Sequence, residues 1–110
     1  MLEPASARRP PLPWRGAFAR LGLHTAWLRP SYTPLPRMKV FANALRDAGA
    51  PCFNVIFHSS EVLPGGSPYT PDETSVARFL DDLRRLLDAL RELGGVGRTC
   101  AEFAAEQRAA

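Results

Sequence analysis

Met38, Phe41, Ala42, Leu45 and Ala48 recur at three- and four-residue spacing, the period that gathers side chains on one face of a helix. Thr33 can cap that helix with Pro34 in its first turn, and Gly49 followed by Pro51 ends it. Cys52-Phe53-Asn54-Val55-Ile56-Phe57 comes next, a short apolar run rich in β-branched and aromatic residues. Its length and its place after a Gly-Ala-Pro break predict a buried strand ending at His58. Residues 59–69, Ser-Ser-Glu-Val-Leu-Pro-Gly-Gly-Ser-Pro-Tyr, have the residue types of a loop. Thr70-Pro71-Asp72-Glu73 reads as a helix start, with Thr70 as cap, Pro71 at the first position and Glu73 completing a capping box. Val76, Phe79, Leu80, Leu83, Leu86, Leu87, Leu90 and Leu93 follow at helical spacing up to Gly94-Gly95. They predict a helix of about 23 residues, roughly 34 Å long. A short last helix over Thr99–Gln107 is expected to bury Cys100, Phe103 and Ala104.

Upstream the pattern differs. Seven of the eleven prolines lie in the first 36 residues, and proline removes a backbone donor and fixes φ. Residues 1–32 therefore read as a Pro-rich irregular segment, with a short helical turn near Gly16–Leu21, and residues 33–110 as the organised portion. Trp14, Phe18, Trp27 and Leu28 are apolar enough to lie against something. The order helix, strand, loop, helix, short helix is that of an α/β architecture with parallel strands. A single strand makes no sheet. Either weak strands lie near Leu2–Ser6 and Gly22–Leu28, or the chain is the tail of a larger α/β unit.

Composition narrows the class. Across 110 residues, 45 % are hydrophobic and 23 % charged, a globular balance that argues against wholesale disorder. No apolar run approaches the roughly 18–20 residues of a membrane-spanning helix. Met1–Pro13 contains Glu3 and no continuous apolar stretch, so it is not a secretory signal peptide. The net charge of +3 is unevenly spread, with eight Lys/Arg against two Asp/Glu in residues 1–50 and six against nine in 51–110. The arginines are mostly isolated and do not alternate with stacking aromatics, so the pattern is not that of a nucleic-acid binder. Cys52 and Cys100 cannot make a disulfide framework or a four-ligand zinc site between them. They read as reduced thiols in a reducing compartment, which makes the expected location cytoplasmic.

His58 is the leading candidate for chemistry. In α/β proteins functional groups gather at the carboxyl ends of strands, and His58 stands at such an end and opens the longest loop. Strand alternation would set it on one face with Cys52, Asn54 and Ile56, opposite Phe53, Val55 and Phe57. An imidazole there suits general acid or base work. Ser59 and Ser60 lack a Gly-x-Ser-x-Gly elbow, so they are not read as nucleophiles. Gly65-Gly66 is not followed by Gly-Lys-Ser/Thr and reads as a turn, not a phosphate cradle. His24 is read as surface or packing. With only two histidines, 34 positions apart, no set of residues has metal-ligand spacing.

The strings Leu28-Arg29-Pro30-Ser31, Asn54-Val55-Ile56-Phe57-His58-Ser59-Ser60-Glu61 and Pro64-Gly65-Gly66-Ser67-Pro68-Tyr69 resemble the C-terminal end of WalW-type polysaccharide deacetylases. These belong to the NodB-homology, carbohydrate esterase family four group. The resemblance spans roughly Trp27 to Glu102. It implies the C-terminal fragment of a distorted (β/α) barrel, with few strands and a long amphipathic helix. It also implies metal-dependent removal of acetyl groups from N-acetylated sugars or polysaccharides. In that family an Asp and two His hold a divalent metal, zinc or similar, an aspartate is the base, and a histidine near the C-terminus is the acid. Only the last maps here, onto His58, with Ser59, Pro68 and Tyr69 shaping the substrate loop. The metal-binding Asp and His-x-x-x-His segment are not in this chain, so the isolated polypeptide is expected to be inactive. The competing expectation is a non-catalytic interaction module that self-associates through the Val76–Leu93 helix.

Overall fold

A computed structural model describes residues 27–109. The expectations for the upstream segment fall outside those residues. These are the strands at Leu2–Ser6 and over most of Gly22–Leu28, the turn at Gly16–Leu21, and the placing of Trp14, Phe18 and His24. The described part is helical: α1 spans Leu35–Asp47, a 3-10 turn spans Ser59–Val62, α2 spans Glu73–Glu92 and α3 spans Cys100–Ala109.

The α/β expectation is overturned. Among the described residues there is no strand and no sheet, and the sole bridge is the local Ser67–Thr70 pair. The Cys52–Phe57 run takes no regular secondary structure, because a strand is defined by a neighbour that completes its ladder. Here one backbone hydrogen bond, from Ile56 N–H to the Leu28 carbonyl (3.1 Å), is all that the described residues supply. The expected alternation survives in part: Phe53 and Val55 are half-buried, while Cys52, Asn54, Ile56 and His58 are exposed. Phe57 is also largely exposed, with its ring edge-on to Phe79 at 5.4 Å.

The two longer helices form where the apolar spacing places them. Pro34 occupies the N-cap of α1 and makes no side-chain cap. Thr33, expected there, instead accepts a hydrogen bond on Oγ1 from Trp27 N–H and is buried. At the other end Gly49 adopts φ +74°, Gly49 N–H donates to the Arg46 carbonyl, and Ala50 N–H to that of Leu45. This is a Schellman closure, which satisfies carbonyls left over at a helix end. The α2 terminus repeats it with Gly94 and Gly95 against Arg91 and Leu90. Helix α2 begins later than expected: Asp72, not Thr70, is the cap, accepting from Ser75 N–H, while Ser75 Oγ accepts from Asp72 N–H.

Helices α1 and α2 pack together over Leu28, Met38, Ala42, Leu86 and Leu90, and Phe53 and Val55 close the flank of this core. Fully burying a side chain such as Leu86 or Met38 stabilises by about 2 kcal/mol. Helix α3 is capped reciprocally by Thr99 and Glu102 but packs on neither other helix. The expected burial of Cys100 is not found: it is exposed, and Phe103 and Ala104 are half-buried. No helix among the described residues is long and apolar enough to cross a membrane.

Candidate functional site

The segment after His58 is built around one enclosed carboxylate. The Arg29–Thr33 turn, closed by Tyr32 and Thr33 N–H groups on the Arg29 carbonyl, lies against the 3-10 turn. Between them Glu61 has no solvent exposure. His58 N–H donates to Glu61 Oε2, and Glu61 N–H donates back to the His58 carbonyl. Arg29 Nη2 approaches Glu61 Oε1 at 3.5 Å. Burial alone would raise the Glu61 pKa; the His58 N–H, the Ser31 hydroxyl and the Arg29 guanidinium outweigh it and hold the carboxyl below its ordinary value. An enclosed charge persists only with such partners.

The loop beyond is ordered by its own backbone. Leu63 N–H donates to Ser60, Gly66 N–H to Leu63, Gly65 N–H to Thr70 and Thr70 N–H to Ser67. Gly66 approaches so closely that a Cβ there would meet the Ser60 carbonyl oxygen at 2.5 Å. Tyr69 N–H donates to Ser67 Oγ, and the Arg29 guanidinium lies 5.2 Å from the Tyr69 ring centre, within cation–π range. Arg29 thus ties the loop to Glu61 and to Tyr69.

The site residues read from the sequence stand as follows. The His58 side chain is exposed at the head of the 3-10 turn, with its backbone fixed by Glu61. Ser59 is exposed on the first position of that turn, and Pro68 is exposed at the loop tip. Tyr69 is half-exposed and lines a cleft of about 190 Å³ together with Ser31, Thr70, Arg78, Phe79 and Asp82. His58, Ser59 and Pro68 are not among its walls.

Reading the sequence missed Arg29 and Glu61 as the brace, and Thr70, Arg78 and Asp82 as cleft walls. Glu61 stood inside a loop string with no spacing rule to mark it, Thr70 resembled a helix cap, and Arg78 and Asp82 looked like solvent-facing helix charges. Compared with protein-family models, curated proteins and solved structures, the chain gives no match.

Proposed function

We propose that this chain supplies the proton-donating end of a hydrolase that removes acetyl groups from N-acetylated sugars. In the step assigned to His58, the carbon–nitrogen bond of the hydrated amide breaks. The imidazolium proton passes to the departing nitrogen, leaving an amine and acetate. Ser59, Pro68 and Tyr69 form the surface that faces the sugar. The observation that carries this reading is the exposed His58 side chain on a turn whose backbone is pinned by the enclosed Glu61 carboxylate. Such pinning sets a catalytic group in place without using its side chain.

Among the described residues the side chains assemble no site for a divalent metal. The chain has two histidines, and no three His, Cys, Asp or Glu side chains converge among the described residues. No step is therefore assigned to a metal on this chain, and the isolated polypeptide is proposed to be inactive. The test is co-expression with the polypeptide encoded upstream of Met1, followed by an acetate-release assay on N-acetylated oligosaccharides. Release that needs both parts and is lost in His58→Gln supports the reading. Release by the isolated chain with added zinc or cobalt overturns its dependence on an outside part. An upstream frame without an Asp and a His-x-x-x-His segment overturns the assignment altogether.

A second reading rests on α2. Leu80 and Leu87, seven residues apart on one helix face, remain 47 % and 50 % exposed. An uncovered apolar row of this kind suits self-association of two copies through the Val76–Leu93 helix.

A further inference from the structure

Helix α2 has two faces with different fates. Val76, Phe79, Leu86 and Leu90 are buried. About a quarter of a turn round the helix runs a stripe of exposed side chains. Glu73, Leu80 and Leu87 follow one another at seven-residue spacing, and Ala77, Arg84 and Arg91 do the same beside them. Seven residues are close to two helical turns, so both sets share one side of α2. The two leucines form its apolar centre, with an acid at one end and a base at the other. Glu73 stands in the first turn and Arg91 in the last, and neither has an ion-pair partner among the described residues. Arg84, in the middle, is already held by Asp81 at 2.9 Å.

This charge order decides how a second copy can lie on the stripe. A parallel copy sets Glu73 against Glu73 and Arg91 against Arg91, and like charges across an interface repel. An antiparallel copy with Leu80 opposite Leu87 brings the first turn of one helix beside the last turn of the other. Glu73 and the second copy's Arg91 then differ by three residues, about 4.5 Å along the axis, a gap that two long side chains span. Gly94, the residue opposite Glu73 in that register, has open space around its Cα, so the incoming turn meets no side chain there. The helix dipoles also oppose, positive end beside negative end.

We infer that two copies of this chain associate through α2 in antiparallel order, Leu80 on Leu87, with Glu73 and Arg91 as reciprocal ion pairs that set the orientation. The inference rests on self-association through this helix and adds to it the direction, the register and the residues that select them.

The test is sedimentation of the full chain and its variants at low salt, from roughly 10 μM to 1 mM, a range suited to an interface of this small size. Glu73→Arg and Arg91→Glu should each weaken the dimer about tenfold, since each turns two symmetry-related attractions into repulsions. The double exchange, Glu73→Arg with Arg91→Glu, should return affinity to within about threefold of the unaltered chain. Both exchanges oppose the dipole of α2 itself, so a mere loss of helix stability would make the double variant the weakest of the three. A second measurement does not depend on the charge variants. In a Cys52→Ser, Cys100→Ser background, chains carrying Leu80→Cys are mixed with chains carrying Leu87→Cys and oxidised. Disulfides between unlike chains support the antiparallel order. Disulfides between like chains, single exchanges without effect, or a double exchange that fails to recover would each overturn it while leaving self-association standing. An unaltered chain that stays monomeric throughout overturns self-association and the orientation together.

Discussion

Arg29 Nη2 stands 3.5 Å from Glu61 Oε1 across 32 positions of sequence, and this pair joins the turn before α1 to the turn after His58. Removing one partner of an enclosed pair strands the other. Glu61→Ala is expected to destabilise the chain by about 3 kcal/mol. Glu61→Gln should cost less, because an amide oxygen can still accept from His58 N–H. Urea titrations followed by circular dichroism measure both, and an unchanged midpoint in Glu61→Ala would show that the brace contributes nothing.

The same carboxylate makes stability depend on acid. Burial acts to raise its pKa, but the His58 N–H, Ser31 and Arg29 prevail, so the folded value lies below the ordinary 4.5. A group depressed on folding contributes fully above its unfolded pKa, and the contribution is lost as pH falls through the folded value. Asp72, held down by Ser75 N–H, and Asp81, held down by its hydrogen bond from Arg84, act in the same direction. Melting temperature should therefore be flat from neutral pH to about 5 and fall below 4.5. Glu61→Gln should reduce that slope; an identical acid limb in the variant would remove Glu61 from the account.

Neighbouring leucines on α2 should behave very differently. Leu86 has no exposure and Leu87 is half-exposed. Leu86→Ala should cost about 3 kcal/mol through lost burial and a residual cavity, and Leu87→Ala within about 0.5 kcal/mol. Light scattering on the unaltered chain should show a dimer that Leu80→Lys with Leu87→Lys converts to monomer. A monomer at all concentrations would dismiss self-association through this face.

Within the loop, backbone and side-chain roles separate. At Gly66 a Cβ would meet backbone oxygens of Ser60 and Leu63 at 2.5 and 3.0 Å, so Gly66→Ala is expected to cost about 1–3 kcal/mol. His58→Gln keeps every backbone bond and should fall within about 0.5 kcal/mol of the unaltered chain. A large loss in His58→Gln would make the imidazole structural and count against its proposed chemistry.

Helix α2 was the most legible element, because eight apolar residues at one spacing and a terminal glycine pair leave little freedom. Its start was misread at Thr70, which has the right residue type for a cap. The Gly65 and Ser67 backbone groups claim Thr70, and Asp72 is the residue within reach of Ser75 N–H. For Cys52–Phe57 the inward pointing of Phe53 and Val55 could be read, whereas a ladder depends on residues elsewhere that no local pattern reveals. His58 was expected at the carboxyl end of a buried strand, and it heads a 3-10 turn instead, since no ladder forms before it among the described residues. The Arg29–Glu61 brace was not legible, because it joins segments 32 positions apart and no periodicity reports on long-range closure.

The exposed side chains of Ile56 and Phe57 bear on how the protein behaves in concentrated solution. Apolar groups left at the surface favour contact between folded molecules, so a lysine at Ile56, away from the core, should raise the concentration the protein tolerates.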